Sequence, residues 1–265
     1  MLLKTPHSLL TNLYRHRRYI WHNAWNELRY RYAGTGMGIF WNVVHPLVEI
    51  LIYTVVFSLV FPKRTRGISY RLYITTGILT WRCFSEMIQR GGNAFIENTR
   101  YLKRLSIPPE IFVAKIALTS TLMLTIYYLV FLPINVVVGN PVSWKWLLLP
   151  CFLFFLQCLA FGMTLSLANL RVLFPDIKEI ISAFMPLWRW TLPLIYPETI
   201  LPEFVRRWLF LNPPHIFIRS IRRLVLEQEL PGILDWVIMS LWLLLLLGVG
   251  TTVNQKLRAE VKDAL

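Results

Sequence analysis

Acidic residues are scarce in this 265-residue chain: 14 Asp and Glu stand against 28 Lys and Arg, and charged residues of both signs make up only 16%. Ordinary soluble domains carry roughly a quarter. With 55% hydrophobic residues and a mean hydropathy of +0.50, the chain is too apolar for a soluble domain and far too apolar for a solvated coil. Cysteine is also rare. Cys83, Cys151 and Cys158 lie in apolar runs with no C-x-x-C spacing and no neighbouring histidine pair, which excludes a disulfide framework and a zinc site. The sequence has no G-x-x-x-x-G-K-[ST] to cradle a nucleotide, no H-E-x-x-H and no G-x-S-x-G elbow, so no familiar catalytic engine is written into it. Repeats of 20 to 50 residues and low-complexity tails are missing, and one membrane domain suffices. The first residues lack the apolar core of a signal peptide, which leaves insertion to internal spans.

What the chain does have is long apolar runs. A hydrocarbon core of about 30 Å needs about 20 mostly apolar helical residues. Six stretches qualify: Gly38 to Phe61, Tyr70 to Gln89, about Ile111 to Val138, Trp144 to Leu170, Ile177 to Tyr196 and Ile233 to Val253. The second is interrupted by Arg71, Arg82 and Glu86, whose side chains are expected to face protein or water. The third and fourth, joined by Gly139-Asn140-Pro141, read as a helical hairpin. Asp235 at the start of the sixth suits the positive end of its helix dipole.

Three further stretches do not span. Leu10 to Tyr32 places Leu10, Leu13, Tyr14, Trp21, Ala24, Trp25, Leu28 and Tyr32 at helical spacing, with Arg15, Arg18 and Arg29 off that stripe, as in a helix lying on a membrane surface. Gly91 to Glu110 is polar and reads as a short helix between the second and third spans. Pro197 to Pro231 holds two apolar half-segments split by Asn212-Pro213-Pro214, each too short to cross, so re-entrant or interfacial helices are expected. The expected fold is therefore all-α and integral to the membrane. An interface helix and turn occupy 1-37, a six-span domain 38-253 (polar segment 91-110, outer region 197-231), and a cytoplasmic tail 254-265.

Counting Lys and Arg between spans orients the chain. With both termini inside, fifteen fall on the inner side (Lys4, Arg15, Arg17, Arg18, Arg29, Arg31, Arg90, Arg100, Lys103, Arg104, Arg171, Lys178, Lys256, Arg258, Lys262) and eight outside (Lys63, Arg64, Arg66, Arg206, Arg207, Arg219, Arg222, Arg223). In so apolar a chain this basic excess reads as juxtamembrane anchoring to anionic lipid rather than nucleic-acid binding. The outer arginines and Arg189 are the candidates for meeting an anionic group such as a phosphate.

Several polar and aromatic residues fall within spans. His45 and Glu49 stand at i, i+4; a metal or proton role competes with the plainer reading that Pro46 kinks the helix and both side chains satisfy hydrogen bonds. Arg82 has Glu86 as a local mate, whereas Arg189 lacks a carboxylate within one turn and faces either a partner or an anionic substrate group. Gly34 to Gly38 reads mainly as a turn into the first span. The aromatic residues form an interfacial belt and packing, or a lining on which sugar rings stack. Candidates for such a lining are Trp41, Trp81, Phe84, Tyr127, Trp188 and Trp190, with Arg189 among them.

Taken in order, these blocks resemble a family. ELRYRYAGTGMGIFWNVVHPLVEILIYTVVFSLVF is similar to the first-span signature of ABC-2 type permeases that export polysaccharides. YRLYITTGILTWRCFSEMIQRGGNAFIENTRYLKRLSIPPEIF, CLAFGMTLSLANLRVLFPDIKEII and LPLIYPETILPEFVRRWLFLNPPHIFIRSIR resemble its later segments. The resemblance implies the type V exporter transmembrane domain, a homodimer of six-span chains in the bacterial inner membrane. Two copies of a separate ATPase would bind ATP and Mg, with no cofactor in this chain. It also implies a lipid-linked glycan threaded through an aromatic-lined tunnel, O-antigen foremost, with capsular polysaccharide, teichoic acid or a smaller lipid or drug as alternatives. Carried over by position, the interface helix with Arg15, Arg18, Trp21, Trp25 and Arg29, and the polar segment with Asn93, Glu97, Arg100, Lys103 and Arg104, are expected to meet the ATPase. From other classes, a membrane-embedded transferase would have to use His45, Glu49 or Asp176, and a secondary transporter would need no ATPase.

Overall fold

Once in lipid, an apolar run must satisfy its backbone internally, and for a single segment only the helix does so. The computed structural model describes residues 9–60, 64–65, 68–104 and 107–265, and helices dominate them. The expectations for Lys4, Phe61, Lys63 and Arg66 lie outside the described residues.

The amino-terminal surface segment is two helices rather than one, α1 (Leu9–Arg15) and α2 (Arg17–Tyr30), separated at His16. The break lets α1 turn Asn12 inward while α2 lays Ile20, Ala24 and Leu28, spaced by four, onto the protein. Trp21 and Trp25 each sit one position further round and are exposed, so the expected single apolar stripe divides into a protein-facing and an outward-facing edge. Gly34 and Gly38 then adopt φ of +86° and +50°, a conformation that glycine reaches without a Cβ penalty. They form the expected turn into α3 (Trp41–Val60).

A two-residue hairpin, β1 (Arg64–Thr65) with β2 (Ile68–Ser69), leads into α4 (Tyr70–Gly91). Two short helices follow where one was expected, α5 (Ala94–Glu97) and α6 (Thr99–Arg104). They are broken at Asn98, whose side chain donates to the Ala94 carbonyl at 2.7 Å and so competes with helix propagation. The hairpin of α7 (Glu110–Val137) and α8 (Leu149–Leu173) matches expectation, turning at Gly139 with φ +100°. Next come α9 (Ile177–Trp190), α10 (Glu203–Trp208), α11 (Pro213–Arg222), α12 (Ile233–Lys256) and α13 (Arg258–Ala264). Asp235 stands in the first turn of α12 as anticipated, and there its carboxylate also accepts a hydrogen bond from the Gly232 amide at 3.1 Å.

Four segments are long and apolar enough to cross a membrane: Gly38–Val56, Glu110–Val137, Trp144–Leu173 and Ile233–Lys256. The two remaining expected spans fall short for different reasons. The 22 residues of α4 rise about 33 Å, but the helix carries a polar stripe. Far from lying at the surface, it is largely enclosed, with Leu72, Ile74 to Trp81, Cys83, Phe84 and Met87 all buried against its neighbours. The fifth stretch ends as a helix at Trp190 instead of Tyr196, so its 14 residues rise only about 21 Å. Pro193 closes it, since the residue before a proline is pushed out of the helical region.

Helices α8 and α12 meet most closely. A Cβ on Gly162 would lie 2.5 Å from the Leu246 carbonyl oxygen, and one on Gly250 would collide with the Gly162 carbonyl. Small residues permit such backbone approach where lipid supplies no hydrophobic driving force. At one end of this pair, Glu110 at the start of α7 is 2% exposed and ties four helices together. Its carboxylate accepts from Asn12 of α1 at 2.6 Å and from Asn254 of α12 at 3.4 Å, and Asn254 accepts from Asn169 of α8 at 3.1 Å.

Candidate functional site

A polar groove of about 400 Å³ runs between α3, α4 and α9. Its α4 wall is Arg82, Ser85, Glu86, Gln89 and Arg90, spaced at the three- and four-residue steps that put them on one helix face. From α3 come Glu49 and Tyr53, from α9 Arg189, and Trp81 and Ile78 complete the lining. A lone charge within a membrane helix costs about 2.5–3.5 kcal/mol even on insertion scales, and Arg82, Glu86, Arg90 and Glu49 here are all paired.

The expected local pairing of Arg82 with Glu86 is not what forms. Arg82 reaches across to α3 and pairs with Glu49, and its guanidinium lies 5.7 Å from the ring centre of Tyr127. Tyr127 and Tyr53 also donate to Glu49, both at 3.4 Å. Glu86 is taken by Arg31 at 2.8 Å and by Arg90 at 3.2 Å. Arg90 pairs further with Glu27 of α2, and Glu27 with Lys115 of α7 at 3.0 Å. The result is a chain of five alternating charges that fastens α2, and Arg31 just past its end, to α4 and α7. Burial opposes ionisation of Glu27, but Arg90 and Lys115 outweigh it and hold the carboxyl below its ordinary range.

His45 does not engage Glu49 either. Its ring stacks on Tyr32 with centres 5.4 Å apart and lies tilted against Trp41 at 5.0 Å, while Glu49 takes its interhelical partners one turn on. The residues proposed for a transferase therefore do not converge. Among the described residues, the Arg189 side chain forms neither a hydrogen bond nor an ion pair, and it remains the groove's uncommitted cation.

The aromatic candidates separate by depth. Trp81 lines the groove while packing edge-on against Trp188, with centres 5.6 Å apart. Phe84 packs edge-on against Trp188 at the same separation, and Trp188 donates to Asn212 at 2.9 Å. Phe84 and Tyr127 are buried within the protomer, Trp188 is half-buried, and Trp190 is exposed on the outer face of α9. Trp41 is half-buried against His45, about two turns from Glu49 and outside the groove. The structure thus brings Trp81 and Arg189 together at the cleft, with Phe84, Tyr127 and Trp188 as its supporting layer.

The outer arginines also divide. Arg222 is 3% exposed and fully engaged with backbone, and Arg223 pairs with Glu229 and Asp235, each at 3.0 Å. Arg206 and Arg219 stay exposed, and Arg207 pairs with Glu203 at 2.6 Å. At the other end of the molecule, Arg15, Arg18, Trp21, Trp25 and Arg29 are all exposed on α1 and α2. Glu97, Arg100, Lys103 and Arg104 form an exposed face on α5 and α6, and Asn93 is half-buried beside them. Sequence reasoning missed Ser85, Gln89 and Arg90 as groove residues, although their helical spacing with Arg82 and Glu86 was there to be read.

This arrangement, apolar helices around a charged cleft with an exposed basic face at one end, fits a membrane permease. Residues 18–226 match the ABC-2 type transporter family. The chain belongs to that family. ABC-2 proteins are the membrane components of transporters, so this is a multi-pass membrane permease. Among curated proteins, it is 23% identical over 259 residues to the O-antigen export system permease protein RfbA of Myxococcus xanthus, covering 97% of this chain and 99% of that one. Two RfbA proteins of Klebsiella pneumoniae are each 25% identical, over 90% of this chain and 92% of theirs.

Proposed function

We propose that this ABC-2 chain is the permease subunit of an ATP-driven exporter that carries lipid-linked O-antigen across the bacterial cytoplasmic membrane. It works as a homodimer with two copies of a separate ATPase, which binds the ATP and Mg. The observation that carries the reading is the end-to-end match to relatives named for O-antigen export. The cleft supports it. Exposed apolar faces on α3 (Leu47, Leu51, Val55) and α9 (Ile180, Phe184, Leu187) flank the groove, so their burial in a dimer would leave the groove facing inward. Trp81 is only 5% exposed in the groove wall, so the contact the groove offers to cargo is the Arg189 charge, suited to phosphate or acidic sugars.

In this reading α4 and α9 complete six crossings, with residues 191–196 extending α9 and with α10 and α11 re-entering on the outer side. Both termini lie in the cytoplasm, following the basic excess. ATP-driven closure of the partner pushes on α5, α6 and the surface helices, and the charge chain from Glu27 to Glu86 passes the movement to α4. Weak, repeated contacts suit a polymer that must slide, since a single tight site would hold it.

The test is deletion in the native host. Surface O-antigen should disappear while lipid-linked polymer accumulates inside, and the chain with its ATPase should restore export where neither does alone. Loss of a capsule or teichoic acid instead reassigns the polymer. Proton-driven export by the chain alone in liposomes overturns the class.

A further inference from the structure

A second, larger recess lies at the opposite end of the molecule from α10 and α11. It encloses about 530 Å³ between the end of α6 and α13, two elements more than 150 residues apart in sequence. Its basic rim is Lys103 and Arg104 from α6 with Arg258 and Lys262 from α13, and its floor is apolar, including Leu102 and Pro108. None of the described lining residues is acidic. None of the four cations forms an ion pair among the described residues, although Glu260 and Asp263 stand on the same short helix. Helix α13 is held in place, because Val261 is 1% exposed and packs into the core.

Four cations gathered at one recess and held in no ion pair repel one another, and an arrangement of this kind favours an anionic partner. The position argues against a lipid. The layer of Glu110, Asn169 and Asn254 closes the membrane helices at this end, and Arg258 and Lys262 stand one and two turns beyond Asn254. Arg258, Val261 and Lys262 fall beyond Lys256, where the apolar span ends, and an apolar floor under a basic rim there favours cover from protein. The recess is also continuous with the exposed Arg100 and Tyr101 of α6.

We propose that this recess docks an acidic segment of the ATPase subunit, one with carboxylates on either side of an apolar side chain, and that α13 is therefore a second docking element beside α5 and α6. The inference rests on the proposed ATPase partnership and adds to it a site, a partner chemistry and a role for α13.

The experiment places a benzophenone cross-linker at Lys262 and, in a separate sample, at Arg100, in the full complex assembled in native membranes. The expected result is a Lys262 adduct to an Asp- or Glu-rich peptide of the ATPase. In parallel, Arg258→Glu with Lys262→Glu weakens ATPase retention about tenfold at low salt, and Arg258→Lys with Lys262→Arg preserves it. If Arg100 captures the ATPase while Lys262 captures lipid or a second permease chain, the docking proposal is wrong and the partnership stands. If neither position captures the ATPase, both fail. An unchanged melting temperature for the double-Glu permease separates lost docking from lost folding.

Discussion

Arg222 occupies the space that a side chain on residue 77 would need. A Cβ on Gly77 would collide with the Arg222 guanidinium, which donates to the carbonyls of Pro193 at 2.7 Å, Leu194 at 3.0 Å and Tyr73 at 3.1 Å and lies 3.6 Å over the Tyr73 ring. A buried arginine thus satisfies the backbone left open where α9 ends, and glycine on α4 makes room for it. Stranded buried acceptors cost about 1–3 kcal/mol each. Arg222→Leu should lower the melting temperature of the detergent-solubilised protein by roughly 5–10 °C, taking about 2–4 °C per kcal/mol. Gly77→Ala should act in the same direction. An unchanged melting curve for Arg222→Leu would remove the clamp.

Close approach of α8 and α12 depends on glycine at both 162 and 250. Gly250→Val should push the helices apart, exposing Cys158 to a membrane-permeant maleimide and reducing folded yield several-fold. The open positions Gly36 and Gly248 have nothing within 4 Å, and Gly248→Ala should be silent in the same assay.

Arg189 and Arg82 share the groove but differ in commitment. Arg189→Gln should reduce export at least about tenfold with melting temperature unchanged, because only a contact to cargo is lost. Arg82→Gln should lower stability as well, because it leaves Glu49 partly buried without its cation. Equal loss of stability in the two variants would argue against a substrate role for Arg189.

The depressed pKa of Glu27 has a definite sign in stability. Its carboxylate is held below the ordinary value of about 4.3, so its contribution is present above that pH and is lost as pH falls through the lower folded value. Melting curves from pH 7 to pH 3 should show an acid-dependent fall that Glu27→Gln flattens. The variant should be less stable at pH 7 and should converge on the parent at pH 3.

Reversing charge at Arg100, Lys103 and Arg104 should leave ATP hydrolysis by the partner running while export stops, since these exposed side chains are expected to carry the push from one to the other. Full export by the triple variant, measured alongside ATPase activity in proteoliposomes, would move the coupling surface elsewhere.

Hydropathy and turn residues by themselves determined that this chain is a bundle of membrane helices and that it turns at Gly34, Gly38 and Gly139, but they counted α4 and α9 as spans, whose polar face and short length set them apart from the four long apolar helices. Backbone groups in lipid have no alternative to the helix, and turns with positive φ favour glycine. Sequence spacing also marked α4 as polar along one face. The partners of that face were another matter. Arg82 stands four residues from Glu86 and yet pairs with Glu49, because α3 packs beside α4 and presents its carboxylate at the same height. The outer arginines looked alike in sequence, yet packing made Arg222 a buried clamp and tied Arg223 to acids, while Arg206 and Arg219 stayed exposed. Likewise the recess between α6 and α13 joins residues more than 150 positions apart. Local pattern fixes which face of a helix is polar; only the packing of helices distant in sequence decides what that face meets.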